Sequence, residues 1–160
     1  MKRFNMMAAG ILLVLVFTAF TGCSAKLDLA KETDLPQGTT LLLLTQVKRS
    51  GLKRYAILAK AAKEVEGNVE AIGEQMYTFL LAEGDIGDFV AYGWEPGWDG
   101  LTSRRDFNSP ESFKSGWYDG MKKLGDVEEP FQYSFNEDGE IDYLYEHYDL
   151  SGSTGPDDEY

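Results

Sequence analysis

Residues Ala8 to Phe20 form an unbroken run of thirteen apolar or weakly polar side chains, preceded by Lys2 and Arg3 and followed by Thr21, Gly22 and Cys23. As a helix this run would rise about 20 Å, well short of a hydrocarbon core of about 30 Å, so it does not read as a membrane span. A charged start, an apolar middle and small residues at the end are instead the pattern of a secretory signal, here residues 1–22, removed on export. The fold must then be built from the 138 residues that begin at Cys23. That length suits a single domain with one moderate core.

The chain has one cysteine. No internal disulfide can form, and a free thiol outside the cell is a liability unless something consumes it. The segment Phe20-Thr21-Gly22-Cys23 resembles the lipobox of bacterial lipoproteins, with Phe where that family usually carries Leu. The resemblance implies that Cys23 receives a diacylglyceryl group, becomes the new N-terminus and anchors the protein to the bacterial cell membrane, facing outside the cytoplasm. Two acyl chains bury enough methylene to hold a protein stably, where one would be marginal. Residues 23–38, polar and ending in Pro36 and Gly38, read as the lipidated cysteine and a flexible tether. Residues 39–150 read as a single globular domain, and 151–160, rich in Ser, Gly and acid, as a disordered acidic tail.

Within the domain, Thr39 to Val47 is a dense apolar run that predicts a buried strand entering the turn Lys48-Arg49-Ser50-Gly51. Leu52 to Glu66 fits either a strand or a helical stripe; a strand is favoured because Tyr55, Ile57 and Ala59 alternate. Further strands are predicted over Val69–Gly73, Gln75–Ala82 and Asp85–Trp94. The clearest helix is Pro110 to Leu124: Ser109 is a good N-cap, Pro110 suits the first position, and Lys122 and Lys123 complement the C-terminal dipole. Phe113, Trp117, Met121 and Leu124 supply its apolar stripe, and the spacing of Gly116 and Gly120 predicts a close approach to another backbone. Phe131 to Phe135 and Ile141 to His147 alternate around Asn136-Glu-Asp-Gly139, which predicts a hairpin. The sum is an α+β fold: an antiparallel, curled sheet of about six to seven strands with one main helix.

The chemistry available is narrow. His147 is the only histidine, and with Cys23 acylated neither a cysteine nucleophile nor a multi-His or Cys-ligated metal site remains. Ser50-Gly-Leu-Lys53 has S-x-x-K spacing but lies in a turn without companion motifs, and Asn136-Glu-Asp138-Gly139 reads as a tight turn, since Tyr145 falls where a calcium loop needs its bidentate Glu. No metal, cofactor or catalytic residue is expected.

Charge and rings are distributed unevenly. The net charge of −12 becomes −14 once Lys2 and Arg3 leave with the signal, which makes nucleic acid an unlikely partner. Twelve acids and no Lys or Arg lie after Leu124, and fourteen aromatics fall between Phe89 and Tyr148. In the stretch Gly93 to Gly100, Trp94 is followed by Glu95 and Trp98 by Asp99, and its Gly and Pro argue for a loop. Ring faces beside carboxylates attract a cation, so Trp94, Glu95, Trp98, Asp99 and Trp117 are the candidate ligand-binding residues, with core packing as the competing reading for the tryptophans. Residues 35–63 carry Lys48, Arg49, Lys53, Arg54, Lys60 and Lys63 without an acid. Lys48, Arg49, Lys53 and Arg54 are candidates to rest on anionic lipid headgroups.

These features point to a non-enzymatic, membrane-anchored binding protein that captures a cationic ligand such as a basic antimicrobial-type peptide. In size, address and anchoring it is similar to the immunity lipoproteins of peptide producers. An envelope assembly or accessory subunit that binds a protein partner, and a carboxylate-dependent hydrolase of envelope polymers, are the alternatives.

Overall fold

The computed structural model describes residues 27–84, 87–97 and 100–147. Seven strands form one sheet: β1 (Leu41–Arg49), β2 (Tyr55–Val65), β3 (Asn68–Leu80), β4 (Val90–Gly97), β5 (Gly100–Phe107), β6 (Glu129–Phe135) and β7 (Ile141–Glu146). Their spatial order is β3-β2-β1-β6-β7-β4-β5. Every pairing is antiparallel except β4 with β7, which run parallel through Val90, Ala91 and Tyr92 against Tyr143, Leu144 and Tyr145. One helix spans residues 110–124. The sheet is neither closed nor strongly curled, which corrects the expected curl: β3 and β5 remain separate edges, and β1 and β6, at the centre, pair over only three residues, Leu42 to Leu44 against Phe131 to Glu129.

Alternation decides what faces inward. Leu42, Leu44, Ile57, Ala59, Phe79, Phe131, Ile141 and Leu144 are buried in one core, with Phe113 and Trp117 laid over them from the helix. The rings interlock rather than merely crowd. Phe113 stacks on Trp117 at 5.0 Å, and Phe131 stands edge-on to both, at 5.8 and 5.0 Å. Edge-on and offset contacts of this kind add to the stabilisation that burial supplies.

The segment 52–66 resolves to a strand, as its alternation favoured. The two strands predicted over 69–82 are one, β3; Gly73, at φ +75°, marks a bulge where the register against β2 slips between Lys60 and Ala62. Residues 93–97, expected as loop, belong to β4, and β5 pairs with it as far as Gly97 against Gly100. Pro96 sits where the β4–β5 register shifts and beyond the last β4–β7 partner, Tyr92, an irregular stretch of the kind in which a strand admits proline.

The helix begins as read. Ser109 Oγ accepts from Ser112 N–H at 3.1 Å, and Ser112 Oγ accepts in return from Ser109 N–H at 3.2 Å. From Phe113 to Tyr118 it widens into a π turn, with Asp119 N–H donating to Lys114 C=O. A π turn takes more residues per revolution, so later side chains rotate off the expected stripe. Leu124 is accordingly 70% exposed, while Tyr118 is buried. Gly116 makes its close approach to the Phe107 ring, not to a backbone: a Cβ there would lie 2.6 Å from that ring.

Before β1, the described residues of the N-terminal segment make contacts with the body. Ala30 N–H donates to Thr78 C=O at 2.9 Å, a 3-10 turn spans Glu32–Asp34, and Ala30 and Leu35 pack against the core.

Candidate functional site

The centre of the site is a buried carboxylate. Glu146 faces inward on β7, opposite Phe131, and only 7% of its surface is exposed. Its Oε2 accepts from Trp117 Nε1–H at 3.0 Å and from the backbone N–H of Trp94 at 2.6 Å. One oxygen therefore ties the helix to β4 just past the point where the parallel ladder with β7 ends. Burial drives the Glu146 carboxyl up to about 7; the Trp94 and Trp117 hydrogen bonds oppose this, and the neighbouring Glu129 charge reinforces it. Burial also raises the Glu129 carboxyl above its ordinary value. Gly93 makes the junction possible, because a Cβ there would stand 2.5 Å from Trp117 Cδ1 and 3.2 Å from Glu146 Oε2.

On the opposite side of the sheet the same strands present a row of tyrosines. Tyr92 and Tyr145 are register partners, and their rings are 6.0 Å apart; Tyr143 lies 5.9 Å from Tyr92 and 6.5 Å from Tyr145. Arg104, from β5, reaches across this row. Its Cζ is 4.1 Å from the Tyr145 ring centre and 4.8 Å from that of Tyr92, and its Nη1 donates to the Tyr145 hydroxyl at 2.6 Å. Carboxylates flank the rings at both ends. Asp106 pairs with Tyr92 in the β4–β5 register, and Asp142, next to Tyr143, accepts from Ser134 Oγ at 2.5 Å. Burial and the two neighbouring tyrosines raise the Tyr143 hydroxyl above its ordinary value, while Arg104 lowers it.

The structure divides the residues singled out from the sequence. Trp94, half-buried, falls by alternation on the tyrosine face, one position along from Gly93. Trp117 is fully buried in the core beneath the other face. The two tryptophans therefore do not line one pocket; they share Glu146 through the sheet. Cys23, Trp98, Asp99 and the Glu95 side chain lie outside the described residues. Of the basic set, Arg54 pairs with Glu140 and stands 3.9 Å from Glu83, whereas Lys48 is half-buried and Arg49 and Lys53 are exposed around the β1–β2 turn. Lys60 is engaged by Glu74 at 3.4 Å and Glu128 at 3.5 Å. His147 Nε2 lies 3.3 Å from Glu64. A separate groove of about 690 Å³ opens between that turn and the start of the helix, with Arg49 and Lys53 on one side and Glu83 and Glu111 on the other.

Arg104 and Glu146 were not legible as site residues. The alternation of Tyr143 and Tyr145 was visible, but Arg104 lies in β5, whose sequence GLTSRRDF shows little apolar alternation. In comparisons with known proteins, no family model, no curated protein and no solved structure matches this chain.

Proposed function

We propose that this is a non-enzymatic, lipid-anchored protein of the bacterial cell envelope, facing outside the cytoplasm, that captures a cationic ligand, a basic peptide, on the tyrosine face of its sheet. The observation that carries the reading is the seat of Arg104: two tyrosine rings and a hydroxyl already accommodate a guanidinium there. A ligand's Arg or Lys finds ring chemistry of the same kind at Tyr143, and the adjoining Asp142, whose carboxylate accepts from Ser134, supplies negative charge on the same strand. Each such contact contributes about 0.5–2 kcal/mol, so several basic side chains are needed for micromolar affinity at about −8 kcal/mol. The net charge of the mature chain supplies long-range attraction.

Titration of the protein with a basic amphipathic peptide tests this. Binding is expected at low salt, weakening as salt rises, with Tyr145→Ala and Tyr143→Ala each reducing affinity roughly three- to thirtyfold, the equivalent of one ring contact. No binding at low salt, or binding indifferent to both substitutions, rejects the reading.

The hydrolase alternative also has an observation behind it, since Glu146 and Glu129 are neighbouring carboxyls with raised pKa values, as acid/base pairs are. It requires that the protein cleave an envelope polymer and that either Glu146→Gln or Glu129→Gln abolish the cleavage.

A further inference from the structure

We propose that the β1–β2 turn is a membrane-docking tip: Leu52 enters the headgroup layer of an anionic bilayer while Lys48, Arg49 and Lys53 meet its phosphates. The proposal rests on the lipid-anchor reading for its geometry, and its test separates the two.

Leu52 is 90% exposed, more than any other large apolar side chain among the described residues. The turn that carries it is built, with Ser50 N–H donating to Arg54 C=O at 2.7 Å and the Arg49 guanidinium donating to Leu52 C=O. Leu52 is thereby held outward from the sheet. An apolar side chain in that place gains nothing from folding and gains burial at the boundary of headgroups and acyl chains. The cations around it have no carboxylate partner: among the described residues Lys48, Arg49 and Lys53 form no ion pair, although Arg49 also holds the Leu52 carbonyl, while Arg54 is committed to Glu140 and Glu83. The groove beside Leu52 also holds Glu83 and Glu111, but Glu83 faces Arg54 at 3.9 Å, so Lys48, Arg49 and Lys53 leave the turn net positive in a chain that is acidic as a whole, and contact with an anionic surface is favoured there.

The described part of the segment that leads back to Cys23 meets the body on the edge of β3. Ala30 is fixed to Thr78, which pairs with Leu58 on β2, four residues and about 13 Å along the strand from Arg54. Six residues lie between Cys23 and Ala30, seven peptide steps that span at most about 25 Å when fully extended. A lipid on Cys23 therefore keeps the turn within reach of the bilayer. The β2–β3 turn at Glu66 and Gly67 lies the other way, about 26 Å along β2 from Leu58.

Because acylation consumes Cys23, Leu52→Cys in the lipidated chain can be labelled alone with an environment-sensitive dye; Glu70→Cys, exposed at the far end of the β2–β3 ladder, serves as reference. In vesicles of phosphatidylglycerol, the label at 52 is expected to shift to the blue and to be quenched by brominated acyl chains, and the label at 70 is not. In phosphatidylcholine alone, or with Lys48→Glu and Lys53→Glu together, the quenching at 52 falls severalfold. A label at 52 quenched no more than that at 70, or quenched equally in both lipids, overturns the proposal. Mass spectrometry of the same preparation reads acylation separately. An unacylated Cys23 contradicts the anchor reading, whereas an acylated chain with a water-exposed label at 52 contradicts only the docking tip.

Discussion

Glu146 shows how one side chain can set the stability of a junction. Its carboxyl titrates near 7 when folded, against an ordinary value of 4.5. Between those values the folded state holds a proton that the unfolded state has released. Stability therefore falls as pH rises through this window, by about 3 kcal/mol in all if the full difference is expressed. Glu146→Gln keeps an oxygen to accept from Trp94 N–H and Trp117 Nε1–H but carries no charge. Thermal unfolding measured from pH 4.5 to pH 8 should show a declining midpoint for the native chain and a much flatter profile for Glu146→Gln; parallel profiles would assign the burial cost elsewhere. Gly93 belongs to the same junction. Gly93→Ala drives a methyl against the Trp117 indole and should lose about 1–3 kcal/mol in denaturant unfolding, the usual cost of overpacking.

Among the elements, those whose residues state their own geometry were legible. Ser109, Pro110 and the terminal lysines define the helix because caps act locally, and removing the Ser109 Oγ that accepts from Ser112 N–H, with Ser109→Ala, should lower stability by about 1 kcal/mol in denaturant unfolding. The hairpin of β6 and β7 was equally plain, since its side chains alternate on both sides of a Gly-containing turn. Three features escaped because their cause is tertiary. β5 has a nearly polar sequence and is a strand only through its pairing with β4. The parallel alignment of β4 with β7 joins segments about fifty residues apart, which no local pattern encodes. The π turn, which turns Leu124 outward, arises where the helix packs Gly116 onto Phe107 and seats Trp117 beside Gly93. The candidate site inherits this limit: its tyrosines were visible as a strand pattern, but their meeting with Arg104 depends on β5.

For the molecule as a whole, the two faces of the sheet do different work, and Glu146 connects them. The inner face carries the helix and the core; the outer face carries the tyrosines, Trp94 and the flanking acids Asp106 and Asp142. The outer face is the surface that would capture a basic peptide. That capture is tested most directly by amide and side-chain NMR shifts of the isotope-labelled protein during titration with a basic amphipathic peptide at low salt, repeated at high salt. Shifts are expected to concentrate at Tyr92, Arg104, Asp142, Tyr143 and Tyr145 and to shrink as salt rises. Absence of shifts at low salt, or shifts confined to residues away from this row, would contradict it.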